Sequence, residues 1–394
     1  MEGHIVNERQ ERVSRLQMKL RENGWFAFAV TQHVDQYYLS GTMQAGVLWI
    51  PVEGVPIFYI RKSVARAMEE SVWPVEPIQA IRSTLGTWRA SLAGVVQVAV
   101  TYDTITLQQL NRLEQWAPDV KWADGSALLR ELRMIKTANE TESIRAAANT
   151  LNEALKVSIP TFRPGMRDID MLAKIEWELR LRDHTGLLRV RAANSEIVTG
   201  TLGSGEAIAL PSSFDGPAGG EGMHVSFPKG AGRHVWKENE ALLVDIGCSL
   251  DGYVIDQTRT VVFGELDTDL MRAYQVTEAI LRETESKLRP GVIPEQLYFD
   301  ALAHADREGL AEHFMGYGAD QAKFLGHGIG LEIDEWPVLA KGFKEPLQPG
   351  MVIAIEPKFT FPGRGVVGIE DTYLITENGY ERLTVTDQIL IVLN

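Results

Sequence analysis

The sequence predicts two domains of different architecture: an α/β domain over residues 1–130 and an α+β domain over 146–394, with 131–145 as linker and start of the first helix of the second. Three observations carry this. Helical and strand-like patterns alternate through the first 130 residues. From residue 139 two helical patterns come first, and strands with two hairpin signals follow, the layout of helices covering one face of an antiparallel sheet. The chain has 394 residues, 45% of them hydrophobic, enough for two packed cores.

In the first domain a helical pattern covers about 9–23. Strand-like runs follow at FAFAVT (26–31), VLWIPV (47–52), VPIFYI (55–60) and VVQVAVTY (95–102), with helical segments near 62–71 and 105–115. No catalytic cluster lies in this stretch. The linker is rich in helix formers and is bounded by Thr137 and Asn139. Beyond it, DIDMLAKIEWELRLRD (168–183) reads as a helix, and GPAGGEG (216–222) reads either as an active-site rim or as a plain connector. A P-loop is excluded there, because no strand–loop–helix context with its lysine surrounds the glycines. Helices are expected near 267–288 and 294–308, between the two hairpins.

The first hairpin is VDIGCSLDGYVIDQTRT, Val244 to Thr260. Asp251-Gly252 is a two-residue turn signal flanked by strand formers. With that turn Leu250 pairs with Tyr253, Asp245 lies opposite Thr258, and Asp256 lies opposite Gly247. Side chains alternate along strands, so Asp245 and Asp256 share a face as diagonal neighbours. Two carboxylates so placed suit a pair of metal ions about 3.5–4 Å apart. A strand-end Asp245 with a solvent-facing Asp256 is the alternative, and these lines alone leave it open. Cys248, the single cysteine, sits beside Asp245; it reads as a small core residue, not a nucleophile.

The second hairpin is AIEPKFTFPGRGVVGIEDTYLI, with Glu356 and Glu370 interrupting successive apolar runs. An odd loop length puts them on one face, and a three-residue loop Gly363-Arg364-Gly365 meets that condition. His327 completes the set, held between glycines in FLGHGIGLEIDEWP. Imidazole suits Mn, Fe, Co and Zn, while carboxylates favour hard dications. Four carboxylates carry the charge that two dications cancel.

In this order (Asp, Asp eleven later, His in Gly-His-Gly, Glu in an EP dipeptide, Glu in IED) the residues resemble the pita-bread metallopeptidases of prolidase and aminopeptidase P type. DGYVIDQTRT, LRMIKTANETESIRAAA (132–148), RLQMKLRENGWFAFAVT and YYLSG extend the resemblance over nearly the whole chain. It implies a pita-bread catalytic domain behind a creatinase/prolidase-type N-terminal domain. It further implies a dinuclear-metal hydrolase that cleaves Xaa-Pro bonds, as aminopeptidase or dipeptidase. The implied metal ligands are Asp245, Asp256, His327, Glu356 and Glu370, with Glu356 also the general base. Manganese is expected first, with cobalt, iron and zinc as alternatives. A homodimer is implied as well.

Departures from the family pattern sit around that set. Asp334 stands where the family has a histidine seven residues after its metal-binding one. Ser212 follows Ala209-Leu210-Pro211 in place of another histidine, Lys323 stands four residues before His327 in place of a third, and Gly368 replaces an arginine two residues before the last glutamate. Asp334 is expected to select substrate, with Lys323 or a substrate cation to balance it. His224 is a candidate substitute for a lost histidine, and His234 a second one. Such a rebuilt outer shell keeps open a small-metabolite C–N hydrolase or lyase on the same fold; a non-catalytic binding module is the third reading, and the complete ligand set weighs against it.

Composition narrows the partners. Net charge is −14 and no basic stripe is present, which excludes nucleic acid. No apolar run approaches ~20 residues, so no membrane span is expected. The polar N-terminus lacks a signal peptide's apolar core, and one cysteine permits no intrachain disulfide. A cytoplasmic enzyme acting on a short peptide or small molecule is the expectation.

Overall fold

The computed structural model describes residues 2–90 and 96–394. Val95, the first residue of the expected strand at 95–102, lies outside the described residues. The chain divides into two compact units, Met1–Arg133 and Met134–Asn394. Among the described residues no helix is long and apolar enough to cross a membrane.

The first unit is built on a six-stranded mixed sheet. Its order is Val75–Pro77, Ile57–Ile60, Gly46–Pro51, Ala27–Val30, Val96–Val100, Val120–Asp124. The central Ala27–Val30 strand is buried throughout, as an unbroken AFAV run requires. It pairs antiparallel with Gly46–Pro51 and parallel with Val96–Val100. Edge strands Val75–Pro77 and Val120–Asp124 carry weak sequence signals: the first is three residues long and ends in proline, and the second has Lys121 and Asp124 among its five residues. The helix Leu107–Trp116 starts at a capping box formed by Thr106 and Gln109. Among the described residues, no group of metal-binding side chains lies in this unit.

The second unit opens with the helix Ala138–Ser158, again started by a capping box, here Thr137 with Glu140. Glu140 also reaches beyond its own helix. Its Oε1 accepts from the Tyr253 hydroxyl at 2.9 Å, pinning the first hairpin to this helix. That hairpin joins Leu242–Leu250 to Tyr253–Phe263 in the expected register, with Asp245 opposite Thr258 and Asp256 opposite Gly247. Asp251 and Gly252 both take positive φ, 50° and 85°, as a type I′ turn demands. Gly200–Ser204 and Ile391–Leu393 complete a four-stranded sheet around it.

A five-stranded sheet runs Glu335–Ala340, Phe324–Gly328, Val352–Ile355, Asp371–Ile375, Tyr380–Arg382. The second hairpin pairs Lys358–Phe361 with Gly365–Gly368, Phe361 facing Gly365. Its loop is therefore Pro362-Gly363-Arg364, one residue earlier than the sequence suggested, because Gly365 is used as a strand residue. Ile355 faces Asp371 and Lys358 faces Gly368 in one continuous register, which sets Glu356 against Glu370. Helices Thr268–Lys287 and Pro294–Arg307 pack over the apolar cluster that contains Ile353, Ile355, Phe359 and Tyr373.

The two sheets are stitched together where the carboxylates lie. Thr258 and Glu370 exchange backbone bonds, N to O at 3.3 and 3.1 Å. Next to them Arg259 is wholly buried, and all five of its N–H groups find acceptors: Thr258 O, Glu370 O, Thr386 O, Asp387 O and the Asp371 carboxylate at 2.8 Å. Removing one side of such a pair strands the other charge in a low-dielectric interior. Arg259→Met is expected to destabilise the second unit by about 3–5 kcal/mol in urea denaturation; a change below about 1 kcal/mol would show that Thr384, Gln388 and Arg382, which also reach the Asp371 carboxylate, satisfy it without Arg259.

Candidate metal centre

Five side chains meet where the two sheets join. Asp245 and Asp256 come from the first hairpin, His327 from Phe324–Gly328, and Glu356 and Glu370 from the ladder just described. All but Asp245 are buried. They form two groups with ligand atoms close enough to share an ion: Asp256, His327 and Glu370, and Asp245, Glu356 and Glu370. Glu370 belongs to both.

Neighbours fix the donor atoms. His327 Nδ1 lies 3.1 Å from Gly328 O, an acceptor only, so Nδ1 carries a proton and Nε2 is the nitrogen that faces the site. Nε2 is 3.4 Å from Glu356 Oε1. Asp256 Oδ1 accepts from Gln257 N at 2.9 Å. Glu370 Oε2 accepts from Thr258 Oγ1 at 2.8 Å, while Oε1 is buried with no hydrogen-bond partner at all. An orphaned buried carboxylate oxygen beside an imidazole nitrogen and a second carboxylate fits a divalent cation.

The other group already contains a cation. Lys358 is fully buried, and its Nζ lies 2.6 Å from Glu356 Oε2, 2.8 Å from Glu370 Oε2 and 3.1 Å from Asp245 Oδ2. A balance of four carboxylates against two dications leaves this ammonium out. A signal for it exists in the sequence: on a strand, position 358 faces the same way as 356.

Acid–base properties show how short of positive charge the cluster is. Burial, then the charges of Glu370 and Asp245, push Asp256 well above the usual carboxylate range. Burial raises Asp245 and Glu370 too, against the pull of Lys358. For His327, burial alone would lower the pKa; the hydrogen bond to Glu356 and the charges of Asp334, Glu356 and Glu370 overcome it and hold it well up. Lys358 follows the same logic, with burial outweighed by three carboxylates. Cys248 is buried and its thiol is pushed up to about 12, which fits a core residue.

A cleft of about 480 Å³, its open mouth included, leads to this centre. Its walls include Phe214, Lys229, Phe324, Ile333 and Asp334 beside Asp245, Asp256, His327 and Glu356. The segment 216–222 supplies Gly216, Pro217 and Ala218, so its first half is rim. Asp334 lines the cavity with its side chain 46% exposed, its Oδ1 3.7 Å from His327 Nδ1. The balancing cation is Lys229, not Lys323. Lys323 is exposed outside the cavity, whereas Lys229 is held 3.0 Å over the Phe214 ring. Burial lowers Lys229 to about 8 despite the pull of Asp245 and Asp334. Nothing in its Pro-Lys-Gly context signals that role.

His224 does not reach the cavity. It sits on an exposed turn closed by Phe227 N to His224 O, and its ring bonds to Ser226. His234 pairs with Glu240 at 3.1 Å, and the Ser212 hydroxyl caps Phe214 N; neither lines the cavity.

Known proteins resemble this chain over nearly its whole length. Residues 142–377 match the model of metallopeptidase family M24, and residues 12–135 match the creatinase/prolidase N-terminal domain. The Xaa-Pro dipeptidase of Pyrococcus furiosus is 28% identical over 97% of this chain and 100% of that relative. The probable dipeptidase PepE of Mycobacterium tuberculosis is 31% identical over 90% of this chain and 89% of its own length. The prolidase structure from Pyrococcus horikoshii OT3 superposes with a TM-score of 0.81 at 25% identity, covering 97% of this chain and 100% of that one.

Gly368 explains how Lys358 gets in. A Cβ at 368 would lie 2.3 Å from Lys358 Cγ, in the path of the lysine stem. Gly368→Ala is expected to cost about 1–3 kcal/mol by overpacking, and the cost should fall in a Lys358→Ala background, where the Cβ of residue 358 at 3.0 Å and Pro357 O at 3.1 Å are the close contacts left. Equal penalties in both backgrounds, read from thermal melts as a double-mutant cycle, would remove the link between the two positions.

Proposed function

The chain belongs to metallopeptidase family M24 and is thereby a metal-dependent peptidase, and on that premise we propose that it hydrolyses Xaa-Pro dipeptides, with Asp245, Asp256, His327, Glu356 and Glu370 as the residues that hold divalent ions. The observation that carries the choice of a dipeptide is the pair of opposite charges on one small cavity: Lys229 and Asp334 line the same space as the candidate ligands. A dipeptide brings an ammonium and a carboxylate within a few ångströms of its single peptide bond. Asp334 suits the first and Lys229 the second. Longer peptides lack the nearby carboxylate. The likeness to the Xaa-Pro dipeptidase of Pyrococcus furiosus supports the same reading.

Bound divalent ions supply Lewis acidity and a water acidic enough to yield hydroxide near neutral pH. The chain's own groups do the rest. Gly328 O orients His327 so that Nε2 is available. Glu356, buried among the ligands, is the group that takes up the water proton. Phe214 and Phe324 give the cavity an apolar wall that limits bulk water. Manganese is the proposed ion, since mixed carboxylate–imidazole ligation suits it. Residues 1–130 are the proposed non-catalytic domain, 131–145 the linker and 146–394 the metallohydrolase domain. A homodimer in the cytoplasm is the proposed working form, the first from the family resemblance and the second from a single buried thiol.

One observation favours a second reading. Asp334 sits on the cavity wall and accepts a cationic small molecule as readily as a peptide ammonium. A panel of Xaa-Pro dipeptides, Xaa-Pro tripeptides and cyclic amidines, assayed with Mn²⁺, separates the two. Dipeptides should be turned over best, and Glu356→Gln should lose about 10²–10⁴-fold in kcat with its fold intact. Turnover of amidines alone would transfer the site to the second reading.

The Lys229 pair also sets a pH limb. A lysine binds a carboxylate only while protonated, so kcat/KM for a dipeptide should fall as pH rises through about 8, with KM carrying the change. A dication in the centre displaces that limb downward, never upward. Lys229→Met should be slow at all pH values and lack the limb; an unchanged profile would remove Lys229 from substrate binding.

A further inference from the structure

The two ligand groups are unlike. In one, Asp256, His327 and Glu370 present the imidazole Nε2 and the unpartnered Oε1 of Glu370. In the other, every member, Asp245, Glu356 and Glu370, is in contact with Lys358 Nζ, at 3.1, 2.6 and 2.8 Å. Glu370 divides its two oxygens between them: Oε2 serves Lys358 and Thr258, and Oε1 remains for something else.

From this arrangement we infer that Lys358 is a resident cation of the centre: a first divalent ion binds at Asp256, His327 and Glu370, and a second enters the Asp245–Glu356–Glu370 group only by displacing the Lys358 ammonium. The inference rests on the metal-dependent reading given above and concerns how the centre is loaded. Its physical basis is exclusion. A dication bound to those three oxygens would stand at roughly 2.0–2.2 Å from each carboxylate, in the space the ammonium fills. Two cations cannot share one set of oxygens, and in a buried site their repulsion is weakly screened.

Moving the ammonium aside is costly for reasons on the same strands. Lys358 has no exposed surface. Its stem runs across the bare face of Gly368, where a Cβ would lie 2.3 Å from Cγ. Phe359, its neighbour in the chain, is locked in the apolar cluster and packs on Phe314 with ring centroids 5.2 Å apart. A buried charge pulled from its partners remains uncompensated. Lysine in place and glycine opposite are thus one device, and Gly368, which departs from the family's arginine, is the half of it visible in a sequence comparison.

With Lys229 and Asp334 cancelling on the cavity wall, Asp245, Asp256, Glu356 and Glu370 carry four negative charges; one dication with Lys358 supplies three positive charges, two dications with Lys358 in place supply five, and two dications balance the four once Lys358 has left.

The test is a titration of chelator-stripped full-length protein with MnCl₂, wild type and Lys358→Met in parallel, reading free and bound Mn²⁺ by electron paramagnetic resonance. Wild type should take one equivalent tightly, as an uncoupled six-line signal, with a second equivalent about 100-fold weaker or more. Lys358→Met should take two equivalents of comparable affinity and show a spin-coupled spectrum. Two equally tight equivalents in wild type would overturn the inference while leaving the metal-dependent reading in place. One equivalent in both proteins would also overturn it, since Lys358 would then not be the reason. No binding by either would sink both. Should Lys358→Met fail to fold by circular dichroism, anomalous diffraction from wild-type crystals soaked in MnCl₂ decides: a strong peak at Asp256, His327 and Glu370 alone upholds the inference, and two peaks of like height refute it.

Discussion

Four carboxylates directed into one buried space are the constraint around which the second unit is organised. Left alone they repel one another, and burial raises the pKa values of Asp245, Asp256 and Glu370 toward protonation. The fold answers with cations at fixed positions. Lys358 stands among three of the carboxylates, Lys229 looks in from the cavity wall, and His327 offers Nε2 while Gly328 O holds its Nδ1. The remaining deficit is what a divalent ion fills. The strand arrangement serves that end: Thr258 and Glu370 exchange backbone bonds, and Arg259 uses all five N–H groups to hold the sheets together beside them. Such a junction keeps the ligands at fixed separations, which a pair of free hairpins would not.

Rigidity there contrasts with the freedom of the groups further out. The histidines that the resemblance led one to expect around the substrate are absent, and neither candidate replacement takes their place: His224 is exposed and His234 is paired with Glu240. In their stead stand Asp334 and Lys229, two charges of opposite sign. Under the reading proposed above, two opposite charges on one cavity suit a small, doubly charged substrate, and they stand apart from Asp245, Asp256, His327, Glu356 and Glu370.

Gly368 and Lys358 show why departures from a family pattern are best read in pairs. Singly, a glycine in place of an arginine is a lost contact, and a lysine in an apolar strand is an oddity. Facing each other across the second hairpin they are donor and clearance. Lys358 Nζ points among Asp245, Glu356 and Glu370, over the face that Gly368 leaves bare.

Much of this was legible in the sequence because strand geometry is local. The Asp251-Gly252 turn set the first hairpin's register, so Asp245 and Asp256 fell on one face by counting alone. Parity set Glu356 and Glu370 on one face in the same way, although the loop itself lay one residue off. Burial of Cys248 and the helices between the hairpins followed from apolar pattern. Tertiary structure decided what counting cannot reach. Lys229 enters the cavity from a loop, and its ammonium sits over the ring of Phe214, a residue fifteen positions earlier in the chain. Lys323 turns outward although it is only four residues from His327. His224 is carried away from the site by its own tight turn. Which oxygen of Glu370 is left without a partner depends on Thr258 and Lys358 arriving from two different strands. Periodicity along one strand determines which way a side chain points; only the packing of several strands determines what it meets there.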